Sequence, residues 1–156
     1  MVSPMAAGSV GRHWNVAKVA GRRRSRDLTP YSCPRTKGRR LTMRRKMLNG
    51  KIHRARVTDA DLNYVGSISI DPLLLKSADI LVNEQVAVYN LMNGERFETY
   101  AIEGSTGQVC LNGAAARLAQ IGDLVIIATF VDVEADELAA HEPKVVVVDT
   151  DNRPTG

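Results

Sequence analysis

The chain of 156 residues is long enough for one domain of ordinary size with a tail, and its 44% apolar content can supply a core. Its net charge of +4 is unevenly spread: residues 1–42 carry ten Lys or Arg against Asp27 alone, a net +9, whereas residues 43–156 carry a net −5. The basic character belongs to the first 42 residues, and the mildly acidic remainder lacks the footprint of a nucleic-acid-binding domain.

Residues 1–42 admit three readings: a disordered basic arm, an Arg-rich organelle-targeting peptide, or a start-site artefact with Met43 or Met47 as the true first residue. The third is favoured. No apolar run there is long enough for a secretory signal, and nothing approaches a membrane span. Cys33 and Cys110 lie far apart, which argues against a disulfide framework and for a reducing compartment, the cytoplasm. His13, His53 and His141 form no metal-ligand spacing with each other or with the cysteines.

From Met43 onward short β segments dominate. Lys51–Thr58 reads as a strand with one polar face, and Asp59–Asn63 as a turn. Ser67–Ile70 alternates Ser and Ile with period two. Asp71 and Pro72 fit the N-cap and first position of a short helix through Ala78. Glu84–Met92 and Glu95–Ile102 flank Asn93-Gly94, a strong hairpin signal. Gln108–Leu111 is a further strand, and Asn112–Leu118 a loop entering a short helix. Asp123–Val133 is a long apolar strand, Glu134–Ala140 an acidic helix, Lys144–Asp149 a valine-rich strand, and the end from residue 150 or 151 to 156 loose. Six or seven short strands with brief helices predict a mainly β domain, a small β-barrel over residues 43–150. With only 4% aromatics, its core must be Val, Ile, Leu and Ala.

Within Asn63-Tyr64-Val65-Gly66-Ser67-Ile68-Ser69-Ile70-Asp71, the pair Gly66-Ser67 can carry unusual chemistry. A serine hydroxyl held in a strained turn can attack the preceding glycine carbonyl and turn the peptide into an ester. Elimination then leaves dehydroalanine, which hydrolyses to a pyruvoyl group, a built-in electrophile. Gly8-Ser9 and Gly104-Ser105 share the dipeptide, and a plain turn is its ordinary meaning. The surroundings decide.

Five runs in order resemble the bacterial aspartate 1-decarboxylases: Met47–Arg54, Tyr64–Asp71, Asn93–Ile102, Leu111–Ala116 and Gly122–Ile127. Met43-Arg44-Arg45-Lys46-Met47 is similar to the family's leader, with Lys46 where threonine is usual, and the resemblance ends near Val148. It implies a double-psi β-barrel, a homotetramer with active sites between subunits, and self-cleavage between Gly66 and Ser67. It also implies a covalent pyruvoyl group made from Ser67, with no metal and no pyridoxal phosphate. The implied reaction is decarboxylation of L-aspartate to β-alanine for pantothenate synthesis.

By the same resemblance, the Ser67-derived ketone forms a Schiff base with the substrate amine, and Tyr100 donates the proton that replaces the lost carboxyl. Arg96 and Lys51 hold the substrate carboxylates, and Thr99, Gly113, Ala114 and Ala115 contact substrate. Gly66, Ser67, Thr99 and Asn112 serve cleavage. A maturation factor is a further expected partner. Read without the family, Arg96 is a solvated strand arginine, Tyr100 a strand tyrosine, and Gly113–Ala115 a turn entering an Ala-rich helix. His53 and Tyr89 shape the pocket or the barrel. The pairs Asp132/Glu134 and Asp149/Asp151 read as solvated strand ends. A rival from another class is a non-catalytic barrel whose basic arm contacts nucleic acid.

Overall fold

The computed structural model describes residues 43–155. The first 42 residues, with Cys33, His13 and the three readings of that segment, lie outside the described residues, as does Gly156. Within the described residues the chain is mainly β, with eight strands, one short α-helix and one 3₁₀ turn.

Strand β1 (Arg44–Arg56) runs antiparallel to β7 (Leu124–Glu134). The expected Lys51–Thr58 strand therefore begins at Arg44 and stops at Arg56. Arg44, Arg45 and Lys46 show no apolar alternation, but the long β7 ladder recruits them. Arg44 pairs with Glu134, and their side chains form an exposed ion pair at 3.0 Å. Context outweighs intrinsic strand preference at such positions. The same principle corrects the turn expected over Asp59–Asn63. Strand β2 (Asp59–Asp61) pairs in parallel with β6 (Val109–Asn112), and only Leu62 and Asn63 turn.

Strand β3 (Ser67–Ile70) lies between β6, antiparallel, and β5 (Arg96–Glu103), parallel, and buries Ile68 and Ile70 completely. Asp71 then starts helix α1 (Pro72–Ser77). Its Oδ1 accepts from the Leu73 N–H at 2.7 Å and its Oδ2 from the Gly107 N–H at 2.6 Å. Pro72 costs nothing there, because the first helical N–H has no partner in the helix.

Strand β4 (Gln85–Asn90) and β5 form the expected hairpin, but Asn93-Gly94 is not a two-residue turn. The Asn90 N–H donates to the Glu95 carbonyl at 2.9 Å and the Gly94 N–H to the Asn90 carbonyl at 3.0 Å. The loop is thus Leu91–Gly94, closed by Gly94 at φ +80°.

The acidic helix expected over Glu134–Ala140 is replaced by turns. Glu134 stays in the β7 ladder, and His141 is tied back through Nε2 to the Leu48 carbonyl at 2.7 Å. With both ends held, separate i to i+3 bonds form instead of a helix, Glu137 N–H to Glu134 and Ala140 N–H to Glu137.

Strand β8 (Lys144–Val147) runs parallel to β1. The tail expected to be loose is pinned. Val148 bridges to Pro154, and the side chain of Asn152, only 2% exposed, donates to the Arg56 carbonyl at 2.9 Å and the Gly107 carbonyl at 3.0 Å. Its Oδ1 accepts from the Arg56 N–H at 2.7 Å. A buried amide with its polar atoms bonded is a structural fixture, since an unbonded one would be costly.

The strand order is β2-β6-β3-β5-β4-β7-β1-β8. Ile52, Val86, Val88, Ile127 and Leu111 are fully buried on one face, an aliphatic core as composition required. β1 and β2, near opposite ends of this order, are separated along the chain by Val57 and Thr58 alone. Thr58 bonds Val109 of β6, while Val57 bonds Asp123 before β7. Among the described residues no helix is long and apolar enough to cross a membrane.

Candidate active site

The Gly66-Ser67 pair sits where the chain leaves the Leu62–Asn63 turn and enters β3. Ser67 is 1% exposed, and antiparallel pairing sets it opposite Asn112 of β6. Asn112, itself 2% exposed, donates from Nδ2 to Ser67 Oγ at 3.0 Å. Asn112, singled out in the sequence as a helper in cleavage, thus touches the hydroxyl it is expected to serve.

The left-handed backbone lies beside the expected cleavage pair rather than in it. Gly66 is not left-handed; Gly113, just past Asn112, is, at φ +59°. A Cβ on Gly113 would meet Gly66 Cα at 2.8 Å, Gly66 N at 3.0 Å and the Tyr64 carbonyl at 3.1 Å. Only glycine both tolerates this φ and lets the two backbones approach so closely. Gly113 therefore packs directly against Gly66, just before the peptide expected to break. It begins the 3₁₀ turn Gly113–Arg117, five residues long, which stands where a short helix was expected.

A cleft of about 500 Å³ opens beside Gly66 and brings Gly66, Thr99, Tyr100, Asn112, Ala114 and Ala115 together. These six were all singled out in the sequence. Phe97, Glu98 and Leu118 complete the lining and were not. Phe97 carried a signal, because it lies two residues before Thr99 on the same face of β5.

Lys51 and Arg96 do not line this cleft. Lys51 pairs with Ala128, Ala128 with Ala87, and Ala87 with Glu98, so alternation sets these four on one sheet face. Tyr89 and Arg96 pair on that same face, with the Arg96 guanidinium 5.0 Å from the Tyr89 ring centroid. The face lies opposite the fully buried Ile52, Ile127 and Val88. His53, also on β1, is half-buried with Nδ1 hidden from solvent and unbonded; burial and the nearby Lys51 and Arg54 charges lower its pKa.

Two further residues at the site had not been singled out. Ser69 Oγ accepts from Asn112 Nδ2 at 3.0 Å, and Cys110 Sγ lies 3.3 Å from Asn112 Oδ1. Both sit two residues from an expected site residue on the same strand, so period-two alternation carried the signal. Burial and the carboxylate of Asp59 raise the Cys110 thiol above its ordinary pKa. Among the described residues no three His, Cys, Asp or Glu side chains converge as a metal site would need.

Known proteins resemble the chain over the same residues. The family model described as aspartate decarboxylase matches residues 43–155. An aspartate 1-decarboxylase of Neisseria meningitidis is 63% identical over 113 residues, covering 71% of this chain and 89% of that one. One from Syntrophobacter fumaroxidans is 59% identical over 114 residues, covering 72% and 92%. Another from Staphylococcus aureus is 55% identical over 112 residues, covering 70% and 88%. With its buried serine, left-handed glycine and cleft all inside the matched span, the chain belongs to the aspartate decarboxylase family.

Proposed function

We propose that this protein cuts itself between Gly66 and Ser67 and then decarboxylates L-aspartate to β-alanine and carbon dioxide, for pantothenate synthesis in the cytoplasm. The observation that carries the reading is Ser67 itself, buried beside an open cleft with its Oγ held at 3.0 Å by Asn112. In the cleavage, Ser67 Oγ bonds to the Gly66 carbonyl carbon as the peptide C–N bond breaks, and the hydroxyl proton passes to the freed nitrogen. The Cβ–Oγ bond then breaks with loss of the Cα proton, leaving Gly66 as a carboxylate. Water converts the resulting dehydroalanine to a ketone and releases ammonia. Asn112 Nδ2 donates to Oγ, which carries negative charge both as its proton leaves and as the ester departs. Thr99 supplies a second hydroxyl at the same cleft.

The residues present fit the pyruvoyl group that would result, because the cleft already reaches Gly66 and its small walls, Ala114 and Ala115, leave room for a substrate. That group supplies an electrophilic carbonyl for the substrate amine and a sink for the electrons released with carbon dioxide. Tyr100 lines the cleft, and its phenol O–H returns a proton to the substrate carbon. Thr99, Ala114, Ala115 and the backbone at Gly113 orient the substrate. Arg96 and Lys51 bind its carboxylates, the Arg pair being bidentate and each charged bond worth roughly 1.5–3 kcal/mol.

Both cations lie on the outward face and off the cleft of their own chain, which supports a homotetramer in which a neighbouring copy supplies them. A closed double-psi barrel is supported by the β1–β2 run, which carries the chain from one side of the strand order to the other across Val57 and Thr58. A maturation factor remains a compatible partner for the cleavage step.

Denaturing mass analysis of purified protein tests the reading. Two fragments are expected, the second beginning at residue 67 with a blocked, hydrazide-reactive carbonyl, together with β-alanine formation from L-aspartate. One uncut chain, inert to hydrazide and inactive, overturns it.

A further inference from the structure

Four polar side chains meet across the β3–β6 ladder, where Ser67 faces Asn112 and Ser69 faces Cys110. Asn112 is their hub: Nδ2 lies 3.0 Å from both seryl oxygens, and Oδ1 lies 3.3 Å from the Cys110 sulfur. A buried amide can sit in either of two orientations related by a flip. The two hydroxyls do not choose between them, because a hydroxyl accepts from an NH₂ or donates to a carbonyl oxygen with equal ease. The thiol does choose. A protonated thiol donates to a carbonyl oxygen but is a weak acceptor for an NH₂.

We propose that Cys110 is a positioning residue for self-cleavage, whose S–H bond to Asn112 Oδ1 keeps the Asn112 NH₂ aimed at Ser67 Oγ. The inference rests on the cleavage reading above. In the flipped orientation the Ser67 O–H would donate to a non-basic amide oxygen, and no donor would meet the charge that grows on Oγ during attack and elimination. The alternative acceptor for the thiol, the Leu111 carbonyl, is farther away at 3.9 Å. Burial beside Asp59 raises the thiol pKa, so the group stays a donor at neutral pH. Ser69 shares the NH₂ without selecting its direction. Because Ser69 keeps its oxygen after Ser67 has lost its own, it also retains the amide once the chain is cut.

The test is the first-order rate of fragment formation, followed by denaturing mass analysis, in wild type and in Cys110→Val, Cys110→Ala, Cys110→Ser and Ser69→Ala. Val keeps most of the bulk of the thiol without a donor, whereas Ser keeps a donor in a smaller group. Cys110→Val and Cys110→Ala are expected to cut about tenfold more slowly than wild type, with Cys110→Ser restored to within about threefold. Ser69→Ala should slow cleavage less than Cys110→Val. Melting temperature is measured in parallel; should Cys110→Ala fail to fold, the contrast between Val and Ser decides. The proposal is overturned if Cys110→Val cuts at the wild-type rate, if Ser is as slow as Val, or if Ser69→Ala is the slowest. Uncut wild type would overturn the cleavage reading as well, so the two failures are told apart.

Discussion

Ser67 and Arg96 belong to the same sheet, yet their surroundings are opposite. Around Ser67 everything is local and closed: a serine 1% exposed, an asparagine 2% exposed and a left-handed glycine pressed against the neighbouring backbone. Arg96 is exposed on an outward face that it shares with exposed Glu98 and half-buried Lys51 and Tyr89, its guanidinium resting on the Tyr89 ring. The contrast teaches that the buried polar contacts of Ser67 are completed within one chain. Lys51 and Arg96 lie on the outward face and do not line the cleft that Ser67 adjoins.

The sharpest attack on this division is Ser67→Ala. It removes the nucleophile, so a single chain with no decarboxylase activity is expected by denaturing gel and by β-alanine assay. Any cleavage at position 66 in that variant would sink the assignment. Gly113→Ala comes next. The added methyl must displace the Gly66 backbone from a 2.8 Å approach and occupy φ +59°, a conformation that costs a non-glycine residue roughly 1–2 kcal/mol. Cleavage should slow by tenfold or more, with a lower melting temperature.

Arg96→Ala should behave in the opposite way. The chain is expected to cut at the wild-type rate, while kcat/KM for L-aspartate falls by about 10- to 100-fold through the loss of charged hydrogen bonds. Mixing chains that carry Ser67→Ala with chains that carry Arg96→Ala should recover part of the activity, since some sites would then pair an intact serine with an intact arginine. No recovery in co-expressed, co-purified mixtures would argue that each chain uses its own arginine.

The smallest effect lies far from both regions. Asp149 accepts from the backbone N–H groups of Arg153 and Asp151, which lowers its pKa in the folded protein. A carboxyl depressed by folding stabilises the fold above its unfolded pKa of about 3.9, and that contribution is lost as pH falls through the folded value. The melting-temperature gap between wild type and Asp149→Ala should therefore be present at pH 7 and shrink below about pH 4, with cleavage unaffected.

Where reading from sequence succeeded and where it failed follow physical lines. The Asp71-Pro72 cap, the Ser-Ile alternation of β3 and the β4–β5 hairpin are local devices, and all three formed. Arg44–Lys46 and Asp59–Asp61 became strands because a distant ladder held them, a cause with no local trace. The acidic stretch after β7 lost its helix to anchors at Glu134 and His141, and the tail was caught by the carbonyls of Arg56 and Gly107. At the site, Ser67 and six of the cleft residues, Gly66, Thr99, Tyr100, Asn112, Ala114 and Ala115, were legible as motifs. Cys110 and Ser69 were visible only as neighbours in two alternating strands.

The amino-acid sequence alone determined the mainly β class, the aliphatic core, the cleavable pair and the chemistry its resemblance implied, because these depend on residue type and short-range order. The tertiary structure decided the register that brings β3 against β6, and hence which atoms touch Ser67 Oγ. It also decided that Gly113 carries the left-handed backbone and that Lys51 and Arg96 face outward. The reason is that a ladder shifted by one residue turns every side chain to the opposite face, and that choice is made by packing across the whole sheet.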